Sequence, residues 1–150
     1  MPRHIAIASD HAALELKAAL VAWLREQGDL VDDLGPDSAA SVDYPDYGYK
    51  LARAVAGGDR IGIALCGSGI GISIAVNRHP GCRAALVAEP LSARLAREHN
   101  DANVLAMGAR LVGVDMAKAC VAAFLATDFG GDRHSRRVGK LGAPPFAAAD

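Results

Sequence analysis

The chain has 150 residues, a net charge of −1, 51% hydrophobic residues and only 5% aromatic ones. That length fits a single domain with a full core, and the near-neutral balance excludes a globally basic nucleic-acid binder. Three scattered cysteines, Cys66, Cys82 and Cys120, form no C-x-x-C pair, which argues against a disulfide framework or a zinc site and for a reducing, cytoplasmic setting. No apolar run reaches membrane-spanning length, and the N-terminus reads as a strand, not a signal peptide.

Arg3–Ser9 predicts a first strand that closes on Asp10-His11. A helix follows over about 12–27, with Leu16, Leu20, Trp23 and Leu24 as one apolar stripe and Gly28 as its stop. Asp29–Leu34 reads as a second strand and Gly35–Asp46 as a loop, in which Pro45 restricts Tyr44 to extended geometry. A second helix is expected from about Tyr47 to Ala56. Ile61–Leu65 is short, apolar and uncharged, as in a strand buried on both faces of a parallel sheet. It turns through Cys66-Gly67-Ser68-Gly69-Ile70-Gly71 into a helix with Ile70, Ile74 and Ala75 as its apolar positions. Cys82–Ala88 predicts a fourth strand, Pro90–Glu98 a helix opened by its proline, and Asn103–Met107 a fifth strand. A last helix from about Val114 carries Met116, Ala119, Cys120, Ala123 and Phe124 on one face. A basic segment with Arg133, His134, Arg136, Arg137 and Lys140 follows, and then an Ala/Pro-rich tail, Gly142–Asp150, expected to be mobile. Strands alternating with helices predict one domain over 1–150: a three-layer α/β/α sandwich with a five-stranded, mainly parallel sheet, Rossmann-like.

Ligands in such folds sit beyond the carboxyl ends of the strands, so Asp10-His11 and Cys66 should face one crevice. A strand that becomes a helix through glycines cradles an anion, because bare N–H groups and the helix N-terminus meet it. The spacing fits neither a dinucleotide fingerprint, since Gly71 comes too early, nor a Walker loop, which needs a Lys that is absent from 61–77. Ile72 excludes a Cys-x5-Arg phosphatase loop. A tight turn around an inert buried cysteine is the bland alternative. Asp10 is equally suited to capping a helix, His99-Asn100 to ending one, and the basic segment to a solvated face.

Six motifs in order change that balance. They are Ser9-Asp10-His11; Asp43-Tyr44-Pro45-Asp46-Tyr47; the Cys66 turn through Ala75, with Glu89-Pro90; Glu98-His99-Asn100-Asp101-Ala102-Asn103; Gly108-Ala109-Arg110; and Arg133-His134-Ser135-Arg136-Arg137. Over about Ile5 to Val138 the chain resembles the type B ribose-5-phosphate isomerases, of the sugar-phosphate isomerase group that also contains galactose-6-phosphate isomerase subunits. The resemblance implies that Cys66 is the base that moves a proton between C1 and C2. A second branch uses a Glu where this chain has Ile72. It also implies that His99 opens the furanose ring with Asp10 as hydrogen-bond partner, and that His11, Arg110, Arg133 and Arg137 hold the phosphate. Tyr44, Ser68, Asn100 and the backbone of Gly67, Gly69, Ile70 and Gly71 would then contact the sugar and its enediolate.

The bare chemistry is consistent, since isomerisation needs a base beside C1–C2 and donors for the enediolate oxygens, and a helix N-terminus favours a thiolate. No cofactor and no metal is implied. A six-carbon sugar phosphate, such as allose or galactose 6-phosphate, is the close alternative substrate, and a non-catalytic phosphate-binding module the more distant reading. The resemblance further implies a homodimer or a dimer of dimers with shared sites. Asp10, Cys66, Arg133 and Arg137 would come from one subunit, and His99, Asn100 and Arg110 from its partner. Neither nucleic acid nor membrane is expected as a partner.

Overall fold

A computed structural model describes residues 1–146. The elements are β1 (His4–Ser9), a 3-10 turn (His11–Ala13), α1 (Leu14–Glu26), β2 (Leu30–Asp33), α2 (Tyr44–Val55), β3 (Ile61–Cys66), α3 (Ile70–Val76), β4 (Ala84–Leu86), α4 (Pro90–Asn100), β5 (Val104–Gly108), α5 (Val114–Leu125) and α6 (Arg133–Leu141). The five strands form one sheet in the order β2-β1-β3-β5-β4. Every pairing is parallel, so the mainly parallel sheet of the sequence reading is wholly so.

The strand sequences explain the layering. Successive strand side chains point to opposite faces. In β1 this sends Ile5 and Ile7 to one face and Ala6 and Ala8 to the other. The large-residue face, continued by Ile63, Leu65, Leu105 and Met107, packs against α1, α4 and α5. The small-residue face, with Ala64 and Ala106, packs against Leu51, Ala52 and Val55 of α2 and Ile72 and Val76 of α3.

Five local expectations are corrected. First, α2 begins at Tyr44, with Pro45 in its first turn, not at Tyr47. A proline is tolerated there because the N–H it lacks would have no partner inside the helix. Second, β4 is three residues long, because its entry is held by side chains instead of a ladder: Arg83 N–H donates to Asn103 Oδ1 at 2.7 Å, and Ala84 N–H to Asn77 Oδ1 at 2.7 Å. Third, the buried face of α5 is Ala117, Cys120, Val121 and Phe124, whereas Met116 and Ala119 are exposed. Fourth, α3 buries Ile72, Ala75 and Val76 and leaves Ile70 and Ile74 in solvent. Fifth, the basic segment forms a helix, α6, which has no buried residue and rests against α4. The mobile-tail expectation lies partly outside the described residues; Gly142–Phe146 follow α6 and are all exposed.

A bidentate ion pair clamps the start of the sheet. Arg3 donates from Nε and Nη2 to the two oxygens of Asp29, both at 2.8 Å, and Asp29 is only 7% exposed. The Arg3 hydrogen bonds hold the Asp29 carboxyl below its usual range against the opposing effect of burial. A depressed carboxylate contributes stability fully above its unfolded value of about 3.9, and that contribution fades as pH falls through the folded value. Asp29→Asn should therefore cost about 1–3 kcal/mol at pH 7. Urea melts of the two proteins should converge toward pH ~2, where Asp29 is protonated in either state.

Candidate active site

The chain from β1 turns outward to β2, while β3 lies on the other side of β1. The two loops leaving the carboxyl ends of β1 and β3 therefore diverge, which opens a crevice between them. Ser9 and Leu65 are register partners, so the residues that follow, Asp10 and Cys66, stand side by side at its floor. The crevice encloses about 480 Å³ and is lined by Asp10, His11, Tyr44, Cys66, Gly67, Ser68, Ile70, Gly71 and Arg110, with Ala12 and Ile74 at its walls.

Backbone contacts make the glycine turn rigid. Gly69 adopts φ +77° with its backbone against β5, and a Cβ there would lie 2.6 Å from the Met107 carbonyl carbon. Gly108 in turn touches the Ser68 backbone so closely that a Cβ would come within 2.5 Å. Gly71 lies beneath the Tyr44 ring, where a Cβ would meet Cε1 at 2.1 Å. At Gly69 and Gly108 the neighbour is backbone and only hydrogen fits; at Gly71 a Cβ would require the Tyr44 ring to move.

The turn aims its donors inward. Cys66 is 5% exposed, and its Sγ accepts the Gly69 N–H at 3.1 Å. Ser68 Oγ accepts the Ile70 N–H at 3.2 Å, which leaves its hydroxyl proton to donate elsewhere. Ala109 and Arg110 N–H groups donate to the carbonyls of Cys66 and Gly67 at 2.9 and 3.0 Å. Those bonds bring the Arg110 guanidinium over Gly67, 3.2–3.4 Å from where a Cβ would stand. Among the described residues no carboxylate forms an ion pair with Arg110, so its charge is available to an anion. Asp10 Oδ1 accepts the Ala12 N–H at 2.9 Å and caps the 3-10 turn. His11 Nδ1 accepts the Val42 N–H at 3.1 Å, so the neutral ring carries its proton on Nε2.

The remaining candidates lie elsewhere. α4 begins at Pro90, beyond the carboxyl end of β4, and runs back to Asn100, just before β5 begins. His99 and Asn100 therefore stand at the amino end of the sheet, and Cys66 at the carboxyl end. The five residues of β5 separate those ends by roughly 16 Å. Asn100 lines a different cavity, beside Asn77, Arg83 and Leu141. The His99 ring is stacked on that of His134, with centroids 4.5 Å apart and planes 16° from parallel. Arg133 and Arg137 flank His134, and desolvation, then Arg133, His99 and Arg137, push its imidazole below the ordinary value, with Glu98 opposing them. Arg110 thus belongs with Cys66, and Arg133 and Arg137 belong with His99. This corrects the expected partition, which had those arginines the other way round. In the sequence His134 stands within a charged run and the last motif; the i, i+4 spacing of Arg133 and Arg137 is the signal that puts both on one face of a helix.

Among the described residues no group of three or more His, Cys, Asp or Glu side chains is arranged to hold a metal ion, and no helix is long and apolar enough to cross a membrane.

The model of the Ribose/Galactose Isomerase family matches residues 5–141. The chain belongs to that family. It is 48% identical to ribose-5-phosphate isomerase B of Escherichia coli (strain K12), over 91% of this chain and 92% of that one. It is 40% identical to D-erythrulose-4-phosphate isomerase of Pectobacterium atrosepticum, over 92% of each. Among solved structures, ribose-5-phosphate isomerase B of Clostridium thermocellum superposes with a TM-score of 0.91 at 48% identity, covering 93% of this chain and 95% of that one. The Mycoplasma genitalium enzyme with bound ribulose-5-phosphate gives 0.90 at 40% identity, covering 94% and 95%. The α/β architecture derived above is thus the family's fold, and the chain is an isomerase.

The contact of Gly71 with Tyr44 can be tested by a double-mutant cycle. Gly71→Ala should destabilise by about 1–3 kcal/mol, because the ring must be displaced. In a Tyr44→Ala background the same change should cost less than about half as much. Equal costs in thermal melts of both backgrounds would remove the contact.

Proposed function

We propose that this isomerase interconverts D-ribose 5-phosphate and D-ribulose 5-phosphate through a cis-enediolate. The observation that carries the reading is the Cys66 sulfur on the crevice floor with the Gly69 N–H directed at it. The Cys66 thiolate removes the proton from C2 of the open aldose and becomes a thiol. Negative charge moves onto O1 of the enediolate, where the N–H groups of the glycine turn and the Ser68 hydroxyl are donors for it. The thiol then returns its proton to C1, while the hydroxyl proton passes from O2 to O1, and the ketose results. Before that, His99 protonates the ring oxygen as its bond to C1 breaks, the O1 hydroxyl releases its proton to water so that C1 becomes the aldehyde, and Asp10 accepts a hydrogen bond from the sugar. His11, Arg110, Arg133 and Arg137 hold the phosphate, so that binding energy remote from C1–C2 positions the reacting carbons. No step calls for a cofactor. Turnover of four-, five- and six-carbon aldose phosphates, compared side by side, tests the substrate length; ribose 5-phosphate should give the highest kcat/KM.

The roles divide between two groups of residues at opposite ends of one sheet, so a complete site needs a second copy of the chain. Exposed Ile70 and Ile74, about half in solvent, edge the crevice, and Leu111 is exposed just beyond Arg110. An apolar rim beside a half-site suits a two-fold dimer with two composite sites, each joining Cys66 of one subunit to His99 of the other.

Two predictions follow from this assignment. Cys66→Ala should lower kcat about 10²–10⁴-fold while sugar-phosphate binding by calorimetry is retained. Near-normal turnover would remove the thiol from the mechanism.

The second concerns the shared site. Cys66→Ala and His99→Asn, refolded together, should regain roughly a quarter of wild-type activity, because half of the dimers are mixed and half of their sites intact. Cys66→Ala with Arg110→Ala should not complement, since both defects lie in one half. A dead Cys66/His99 mixture that nonetheless forms mixed dimers would place each site within one chain.

A further inference from the structure

Among the described residues, a stacked ring meets the His99 imidazole. Neither of its nitrogens makes a hydrogen bond among the described residues. The nearest carboxylate oxygen, Glu98 Oε1, is 4.0 Å from Nε2, beyond hydrogen-bond range. The other oxygen of Glu98 is taken by Arg94 Nη1 at 2.7 Å. What does meet the ring is the face of His134, with centroids 4.5 Å apart and planes 16° from parallel. His134 has no core to serve, since α6 buries none of its residues. One backbone bond and one side-chain bond hold it in register instead: Gly130 N–H donates to the Glu98 carbonyl at 2.9 Å, and the Arg97 side chain donates from Nε to the Thr127 carbonyl at 3.3 Å. These two bonds seat the loop before α6 on the last turns of α4.

We propose that His134 is a positioning residue: its stacked ring holds the His99 imidazole in the plane from which it protonates the furanose oxygen, and leaves both His99 nitrogens unoccupied for substrate. The proposal rests on the acid role given to His99 above. The charges around the pair favour it. His134 faces Arg133 and Arg137 of its own helix and Glu98 and His99 of α4; desolvation and the positive neighbours lower its imidazole from the ordinary value, which favours the neutral ring. A neutral ring attracts a protonated one through its π face, whereas two protonated rings in a stack would repel. The arrangement thus tolerates the change of charge on His99 that ring opening requires.

The test uses His134→Ala, His134→Phe and His99→Asn in the full-length enzyme, with ribose 5-phosphate as substrate and inorganic phosphate as competitive inhibitor. His134→Ala should lower kcat about 10–100-fold, the scale of loss for a misplaced catalytic group, with KM and phosphate inhibition within about threefold of wild type. His134→Phe keeps a flat ring at the stack and should stay within about threefold of wild-type kcat. Wild-type kcat in His134→Ala overturns the proposal. So does a loss confined to KM or accompanied by loss of phosphate inhibition, because His134 would then serve the α6 arginines and not His99. Equal impairment of the Phe and Ala variants also overturns it, since a ring nitrogen would then matter and not the stacked face. If His99→Asn turns over at the wild-type rate, the acid role itself is wrong. If His99→Asn is slow while His134→Ala is normal, only the positioning role is lost.

Discussion

The structure depends on how closely the glycine turn after β3 sits on the end of β5. Gly69 meets the Met107 carbonyl and Gly108 meets the Ser68 backbone at distances where no Cβ fits. That contact sets where the turn's N–H groups point, and one of them reaches the Cys66 sulfur. It also brings Arg110 back over Gly67 through the two backbone bonds from Ala109 and Arg110. A thiol, a set of backbone donors and the root of the Arg110 side chain are therefore held by main chain, whose positions are far more constrained than those of long side chains. Such preorganisation is what stabilising a developing enediolate requires, because the donors need not move as charge appears.

The sheet supports this arrangement through the asymmetry of its two faces. Alternating Ile and Ala in β1, repeated by Ile63/Ala64 and Leu105/Ala106, put bulk on one side and alanine on the other. The alanine side lets α2 and α3 approach the sheet closely, and α2 delivers Tyr44 over Gly71 from its first turn. Packing and site geometry are thus linked: the small-residue face that sets the depth of α2 also sets where the wall of the crevice stands.

The same parallel topology that builds the Cys66 crevice denies it His99. A helix that leaves the carboxyl end of one parallel strand must return to the amino end of the next, so residues at its last turn finish a strand's length from the crevice. α4 obeys this, and α6, lying on α4, brings Arg133, His134 and Arg137 to His99. The exposed isoleucines of α3 belong to the same picture: Ile70 and Ile74 have the apolar character of core residues, yet the described residues leave about half of each in solvent.

The sequence by itself determined the alternation of strands and helices, the parallel sheet, and the meeting of Asp10 with Cys66. Each follows from local rules: apolar runs of strand length, glycine stops, and the rule that loops at the carboxyl ends of parallel strands share a crevice. It also supplied the motif order that pointed to the family. Where the local signal was ambiguous it misled. Pro45 could end an extended segment or open a helix; the apolar residues of α3 and α5 admitted more than one facing; and a run of arginines looked the same as a solvated end or as one face of α6. Only the tertiary structure decided these, because facing depends on which layer a helix packs against. It alone showed that Arg110 goes with Cys66 and Arg133 and Arg137 with His99, since strand order and the length of β5 determine which loops share an end of the sheet. The stack of His134 on His99 joins two helices separated by β5 and α5, so no spacing within either helix could announce it.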